Sequence, residues 1–179
     1  MYRIVTISDR IRVPPERIGM DLKEAVLASI EEQFEGLFDP KIGLILCCVG
    51  IDEIGEGKIK PNDPGIFYQV KFKLLTFKPE LHELVFGEVI DNTDFGSFVR
   101  IGPLDGLVHI SQLMDDYVSF DSKSSTFYGK TTKKSLKIGD LVRARIISVS
   151  FSEQTKIGLT MRQAGLGSLV WIEKERRKK

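Results

Sequence analysis

The first part of the chain alternates apolar and polar residues on either side of one amphipathic stretch. Residues 3–13 carry the two-residue alternation of a β-strand, and Pro14 and Pro15 end it, because proline has no N–H to donate to a sheet. Apolar residues then recur every four positions over residues 22–34. Asp21 directly precedes this stretch and is a candidate cap for the first turn of a helix. This pattern predicts an amphipathic helix of about 14 residues.

Two further strands are predicted before position 78. Residues 42–49 form a continuous apolar run, which is typical of a buried strand, and residues 67–77 alternate again. Between them, Gly50–Pro64 contains several glycines and prolines and predicts a loop. A strand, a helix and two strands in this order indicate a small α+β domain, which we assign to residues 1–81.

After Pro79 the pattern changes to short strands only. Five strands with glycine-rich turns are predicted, at 84–90, 96–101, 106–110, 141–149 and 155–161. Five short strands within about 80 residues favour a small OB-fold β-barrel, which we assign to residues 82–179. The polar insert 114–135 predicts a long loop with a helical turn. The expected fold class is therefore α+β, with an N-terminal α/β domain followed by a five-stranded barrel.

Charge is distributed unevenly, although the whole chain of 179 residues has a formal net charge of only +1. Residues 82–121 carry one basic and eight acidic side chains, whereas residues 122–179 carry 14 basic and four acidic ones. Such asymmetry is typical of chains that bind nucleic acid or an acidic partner, although solvated surfaces also vary in charge. No apolar run approaches the roughly 20 residues that span a membrane, so we expect a cytoplasmic protein without membrane contact.

No motif in the sequence indicates catalysis. The two histidines, His82 and His109, lie far apart in the sequence, and no hydrolase elbow or zinc-protease motif is present. The nearest approach to a phosphate-binding loop is the run at 55–58. Asp52 and Ile59 stand where that loop needs glycine and a hydroxyl residue. We therefore expect no catalytic site.

Two other features could hold a metal ion. Cys47 and Cys48 are adjacent, which fits neither a disulfide framework nor the spacing of a metal site. Asp115 and Asp116 could contribute to a cation site, or they could simply belong to a solvated loop. We expect no resident metal and no cofactor.

Alternation in the barrel strands leaves aromatic rings and cations on the outward face. The aliphatic positions point into the barrel, so the positions between them point outward. The outward or turn positions with rings or cations are Phe95, Phe98, Arg100, His109, Arg143, Arg145 and Lys156. Rings stack on unpaired bases and cations contact phosphates, so this set predicts a surface for single-stranded RNA. Alternatively, Phe95 and Phe98 fill a minor cluster beneath the insert.

The barrel half resembles a known RNA-binding module. The segments that carry the resemblance are 87–90, 95–99, 105–111, 137–140, 142–147 and 157–161. They are similar to the module first known from bacterial ribosomal protein S-one. That module alone occurs in translation factors, exoribonucleases and exosome caps, so it does not determine the function.

The rest of the chain narrows the family. The further matching segments are 1–15, the predicted helix, 55–59, 77–81, 114–117 and 160–167. Together they resemble the larger stalk subunits of archaeal RNA polymerase, known as E-prime, which are related to the stalk subunit of eukaryotic RNA polymerase II. The resemblance covers essentially the whole chain. Ala164 stands where archaeal relatives commonly have proline.

This resemblance implies a noncatalytic subunit of DNA-directed RNA polymerase. Residues 1–81 would be a ribonucleoprotein-like tip domain that docks on the polymerase core near the clamp. Residues 82–179 would be the barrel that reaches nascent single-stranded RNA, and the smaller stalk subunit, known as F, would be the partner in a heterodimer. The core subunits would carry the nucleotidyl transfer. The candidate docking loop contains Gly55, Glu56, Gly57 and Lys58.

Two other functions fit the barrel alone. The first is a translation- or ribosome-associated RNA-binding protein. The second is an RNA-processing enzyme with an appended barrel. Such an enzyme would need an acidic or histidine cluster within residues 1–81, and the sequence offers only His82 at the edge. Association with ribosomes would favour the first alternative, and nuclease activity of the purified chain would favour the second.

Overall fold

The computed structural model describes residues 1–151 and 155–177, and the chain forms two compact units, Met1–Lys78 and Pro79–Lys179. The first unit is a sheet with one helix, and the second is built around a closed barrel. In the described residues, no helix combines the length and the apolar character needed to cross a lipid bilayer.

The first unit is a four-stranded antiparallel sheet. In chain order its elements are β1 (Tyr2–Val13), α1 (Leu22–Phe34), β2 (Phe38–Asp39), β3 (Gly43–Ile59) and β4 (Ile66–Phe77). The strands lie in the order β1-β4-β3-β2, and β1 pairs with β4 from Tyr2 opposite Phe77 to Val13 opposite Ile66. The predicted order of strand, helix, strand and strand is confirmed, with the two-residue β2 as an addition.

A side-chain cap begins helix α1. The Asp21 carboxylate accepts hydrogen bonds from the backbone N–H groups of Lys23 and Glu24, at 3.1 and 3.4 Å. It thereby satisfies two amides that have no acceptor within the helix. The apolar side of α1 packs on the sheet, where the Phe34 and Phe72 ring centroids are 5.4 Å apart. Residues with fully buried side chains in this core include Ile11, Val26, Ile30, Val70, Phe72 and Leu74.

Strand β3 extends well beyond the predicted run at 42–49. The expected loop over Gly50–Pro64 is wrong as far as Ile59, because the chain up to that residue pairs with β4. The β3–β4 register contains four irregularities, the last between Ile54 and Gly57. Such bulges break the two-residue alternation on which a strand prediction depends.

Glycine in this part of β3 serves cross-strand packing. A Cβ atom on Gly57 would lie 2.8 Å from a ring carbon of Tyr68 on β4. The glycine therefore admits the neighbouring ring instead of making a tight turn. The candidate docking residues at 55–58 consequently lie in a strand, and the prediction that they form a loop is wrong.

The second unit contains nine strands and a helix within its described residues. Its first strands are β5 (Leu84–Thr93), β6 (Gly96–Arg100), β7 (Asp105–His109), β8 (Val118–Asp121), β9 (Thr126–Gly129) and β10 (Ser135–Leu136). The later elements are β11 (Leu141–Phe151), β12 (Thr155–Thr160), β13 (Gly167–Ser168) and α2 (Leu169–Arg176). The five predicted barrel strands correspond to β5, β6, β7, β11 and β12.

Pairing between β11 and β12 closes the barrel. The sheet order is β12-β7-β6-β5-β11-β13, and the additional β11–β12 pairing joins its two sides. The β7–β12 pair is parallel, and the other pairs in this sheet are antiparallel. The predicted inward side chains form the core, including Val99, Val108, Val142, Ala144, Ile146, Ile157 and Leu159. The five-stranded OB-type barrel is thereby confirmed.

The polar insert forms its own small sheet. Strands β8, β9 and β10 lie antiparallel in the order β10-β9-β8, so the prediction of a long loop over 114–135 is wrong. These strands have only two to four residues, too few for alternation to reveal them. Phe127 and Leu136 are fully buried in the barrel core. The Asn92 amide links the barrel to the insert through the carbonyl of Ser125 at 2.8 Å.

Helix α2 follows the last barrel strands and was not expected from the sequence. The predicted solvated tail at 173–179 is helical up to Arg176, and Lys178 and Lys179 lie outside the described residues. Trp171 anchors the helix, because its indole N–H donates to the Ser135 carbonyl at 3.1 Å and its ring packs on the barrel core.

Candidate RNA-binding site

A groove lies on the outward face of β6, β7 and β12 and reaches the later part of β11. Across these neighbouring strands, Phe98 is opposite Leu107, and Leu107 is opposite Gly158. The groove has a volume of about 630 Å³. We call it the barrel groove. Its lining includes Phe98, Asp105, Leu107, His109, Gln112, Ile147, Ser148, Ser150, Lys156 and Gly158.

Two phenylalanine rings pack against each other at the barrel groove, and one of them, Phe98, lines it. Phe95 in the turn before β6 and Phe98 in β6 have ring centroids 6.0 Å apart, with the ring planes at 88°. This edge-to-face contact holds the two rings in fixed orientations. Phe95 is 46% exposed, so it does not fill a cluster beneath the insert, which was the alternative expectation. An exposed and oriented ring is suited to stacking on an unpaired base.

His109 contributes a ring with a defined donor. Its Nδ1 accepts the backbone N–H of Ser111 at 3.3 Å and lies 2.9 Å from the Ser111 hydroxyl. Because Nδ1 is the acceptor, the neutral imidazole carries its hydrogen on Nε2. The exposed side chain therefore offers both a flat ring and an N–H donor at the groove.

Two of the predicted cations lie at or beside the groove. Lys156 on β12 lines it directly and is exposed. Arg100 on β6 is paired with Asp105, at 3.3 Å between Nε and Oδ1, and both side chains are largely exposed. An exposed pair of this kind contributes only about 0.2–1 kcal/mol, so a phosphate can replace Asp105 at little cost.

Arg143 and Arg145 point outward from β11 but do not line the barrel groove. The Arg143 guanidinium lies 5.1 Å from the Phe86 ring centroid and donates to the Gly165 carbonyl at 3.4 Å. Arg145 lies opposite Leu84 on β5, and its buried Nε has no hydrogen-bond partner among the residues that the structure describes. The seven predicted RNA-binding residues therefore do not form one cluster.

Several lining residues lie outside the set that the sequence pattern predicts. Leu107 lies between the inward Gly106 and Val108, so alternation could have placed it outward beside the rings. Ile147 and Ser148 were harder to place, because a bulge between Ile146 and Ser148 interrupts the alternation of β11. The apolar side chains of Leu107 and Ile147 make the barrel groove more hydrophobic than the predicted set implied.

The carboxylates of Asp115 and Asp116 both accept hydrogen bonds from other residues of this chain. Asp115 Oδ1 accepts two hydrogen bonds from the Arg162 guanidinium, at 2.8 and 3.0 Å. Asp116 accepts the backbone N–H groups of Thr131 and Thr132, and these bonds hold the pKa of its carboxyl far below the usual range. Among the described residues, no group of three or more His, Cys, Asp or Glu side chains could hold a metal ion.

The candidate docking residues lie near the end of the β3–β4 hairpin. Glu56 and Lys58 help to line a shallow cavity of about 240 Å³. Ile59 beside them is 76% exposed, and the Lys60 ammonium lies 4.1 Å from the Phe67 ring centroid. Gly55 and Gly57 lie in the same part of β3 but do not line the cavity.

Both halves of the chain match known domains. Residues 8–64 match an SHS2 domain found in the N terminus of Rpb7p/Rpc25p/MJ0397. Residues 78–162 match the S1 RNA binding domain. The fold and the barrel groove therefore define a two-domain protein with a C-terminal RNA-binding barrel of the S1 type.

Full-length relatives give the family. The chain is 37% identical over 175 residues to the DNA-directed RNA polymerase subunit Rpo7 of Saccharolobus shibatae, which covers 96% of this chain and 97% of the relative. It is also 37% identical over 177 residues to Rpo7 of Sulfolobus acidocaldarius, which covers 98% of this chain and 97% of the relative. Identity to the RNA polymerase II subunit RPB7 of Saccharomyces cerevisiae is 28% over 148 residues, which covers 82% of this chain and 86% of the relative. The chain belongs to the Rpo7 family of DNA-directed RNA polymerase subunits, and within that family it is a noncatalytic stalk subunit.

Proposed function

We propose that the barrel groove binds nascent single-stranded RNA weakly and without sequence preference. The observation that carries the proposal is the combination of Phe98, His109 and Lys156 around one outward groove, with Phe95 packed against Phe98. A base stacked on an aromatic ring contributes about 1–3 kcal/mol whatever its identity. One or two such contacts give the weak binding that a moving transcript requires.

The electrostatic part of this binding comes from few groups. Lys156 lines the groove, and Arg100 contacts phosphate when it leaves Asp105. The proposed role for Arg143 and Arg145 is peripheral, on the flank of the barrel, because neither residue lines the groove. With so few cations, we expect a shallow dependence of groove binding on salt concentration.

We further propose that the first unit docks on the polymerase core near the clamp through the end of the β3–β4 hairpin. The exposed Ile59 side chain and the cavity lined by Glu56 and Lys58 support this role. A strongly exposed apolar side chain between charged neighbours is typical of a protein interface. In this proposal Gly55 and Gly57 shape the hairpin and do not themselves contact the core.

The proposed heterodimer partner is the smaller stalk subunit, known as F. Exposed apolar side chains occur in both units and support a partner surface on each. In the first unit they include Tyr2, Ile4 and Val49, and in the second they include Leu84, Phe86 and Leu141. Covering such side chains stabilises an association by about 25 cal/mol for each Å² of apolar surface buried. We propose a cytoplasmic location, because in a cell without a nucleus RNA polymerase transcribes in the cytoplasm.

Affinity purification of the full chain from native extract, combined with RNA crosslinking, tests the proposed function. Core polymerase subunits and one small partner should co-elute, and crosslinks to RNA should map to β6, β7 and β12. Co-elution of ribosomal subunits in place of polymerase would contradict the proposal and favour a translation-associated role. A nuclease assay on the purified chain should find no RNA degradation.

A further inference from the structure

A second cavity in the barrel unit is rich in lysine. It lies between the chain leading into β10 and the first turns of α2, and it has a volume of about 570 Å³. We call it the lysine cavity. Its charged lining residues are Lys133, Lys134, Lys137, Asp140, Lys174 and Glu175. None of them lines the barrel groove.

The lysine cavity has an excess of positive charge. Of its two carboxylates, Glu175 is paired with Lys134 at 2.7 Å, and Asp140 accepts the backbone N–H of Lys137 at 2.9 Å. In the part of the chain that the structure describes, no ion pair or hydrogen bond engages the ammonium groups of Lys133, Lys137 and Lys174. Three free ammonium groups around one cavity attract a ligand with several negative charges.

The beginning of α2 adds to this potential. Ser168 is the N-cap residue of the eight-residue helix, and its side chain makes no capping hydrogen bond. The amides of the first turn therefore receive no side-chain acceptor from their own cap. Ser168 and Val170 both line the lysine cavity, so the positive end of the helix dipole faces the same space as the free lysines.

The cavity is suited to phosphates and not to bases. Its aromatic side chain, Trp171, is only 7% exposed, and the Lys134 ammonium lies 5.4 Å from the centre of its ring. No face of the indole is therefore free for a base to stack on. Ammonium groups and hydroxyls instead contact phosphate oxygens, which are the same at every nucleotide.

We propose that the lysine cavity binds the phosphodiester backbone of the same RNA strand whose bases occupy the barrel groove. The inference rests on the proposed function, since it extends the RNA path beyond that groove. The second site supplies charge where the groove itself has few cations. It also accounts for part of the basic excess of residues 122–179, because Lys133, Lys137 and Lys174 belong to that stretch.

A length-dependent binding experiment on the full chain tests this inference. A variant with K133Q, K137Q and K174Q is compared with the wild type by fluorescence anisotropy, using oligouridylates of about 5 and about 16 nucleotides. The matched control carries K23Q, K41Q and K71Q, which remove the same charge from exposed positions in the first unit. For the longer oligonucleotide, we expect the dissociation constant of the cavity variant to rise about tenfold, and its salt slope to fall by about 2, from three phosphate contacts at about 0.7 each. Binding of the shorter one should change little in either variant.

The outcomes separate this inference from the proposed function. If the wild type binds RNA and the cavity variant matches the control in affinity and salt slope, the inference is wrong and the groove proposal stands. If the wild type binds neither oligonucleotide, the proposed function fails and the inference fails with it. If the cavity variant loses only its binding of inorganic phosphate, measured by phosphorus NMR, the cavity is a small-anion site and the RNA path is wrong. Trp171 fluorescence during thermal unfolding checks the fold, and the single variants K133Q and K174Q replace the triple variant if it unfolds early.

Discussion

The Asp116 carboxylate holds Thr132 through both its backbone and its side chain. Oδ2 accepts the Thr132 N–H at 2.7 Å and the Thr132 hydroxyl at 2.8 Å, and the same carboxylate accepts the Thr131 N–H. Both residues lie at the same end of the insert sheet, since Asp116 precedes β8, Thr132 precedes β10, and both strands are antiparallel to β9. One carboxylate thereby closes the insert across 16 residues of sequence.

We expect the Asp116→Asn variant to destabilise the second unit in a pH-dependent manner. The hydrogen bonds lower the pKa of Asp116 in the folded chain, so the ionised form stabilises the fold above the ordinary aspartate pKa of about 4. That stabilisation is lost progressively as the pH falls below about 4. Urea unfolding followed by Trp171 fluorescence should therefore find the largest difference from wild type at neutral pH and a smaller one near pH 3. A difference that is constant with pH would show that the charge is not involved.

We expect the Phe98→Ala variant to weaken binding of oligouridylate by about 5- to 150-fold, which corresponds to the loss of one stacking contact of about 1–3 kcal/mol. His109→Ala should act in the same direction, and the double variant should lose most RNA crosslinking. Phe86→Ala is the matched control, because Phe86 is an exposed ring on β5 that packs beside Arg143 and does not line the groove. Equal RNA affinity in the Phe98 and Phe86 variants would contradict the groove assignment.

The Phe127→Ala variant should lose about 3–5 kcal/mol of unfolding free energy. Phe127 comes from the insert but is fully buried in the barrel core, with its ring centroid 5.0 Å from that of Phe120. Chemical denaturation followed by Trp171 fluorescence reports on this unit, since the chain has one tryptophan. Tyr128→Ala, at the neighbouring exposed position, is the control and should change stability far less. A small effect at Phe127 would mean that the barrel core does not depend on the insert.

Gly158 lines the barrel groove, and the space around it gives a prediction about stability. A Cβ atom at this position would collide with the Ser148 hydroxyl, whereas the next nearest side-chain atom, Ser148 Cβ, is 3.5 Å away. Gly158→Ala alone should therefore be destabilising, and Ser148→Ala should remove most of that penalty. Thermal unfolding of the two single variants and the double variant measures the coupling. Additive effects would indicate that another contact sets the requirement for glycine.

The regular parts of both units could be predicted because their side chains follow one period. In the middle of β4 and throughout β7, buried residues such as Phe72 and Val108 alternate with less buried ones. Strand β3 could not be predicted beyond Val49, because its bulges shift the register repeatedly. The insert strands are too short for any period, and their stability depends on distant partners such as Asn92.

The sequence pattern indicated which barrel side chains point outward, but not which of them are neighbours. Alternation placed Phe98, His109 and Lys156 on the outward face, and strand pairing brings them to one groove. Alternation cannot report which outward positions of different strands are neighbours. Arg143 therefore had the same sequence signature as Lys156, although strand register places it beside Phe86 on β5.

The parallel pairing of β7 with β12 also has a consequence for biosynthesis. Leu107 meets Gly158 across about 50 residues of chain, and such a long connection slows barrel closure through the entropy of joining its ends. A chain emerging from the ribosome has completed the sheet of its first unit once Phe77 is free. The barrel groove comes into existence only after β12 has emerged, so the first unit can fold before the proposed RNA-binding surface exists.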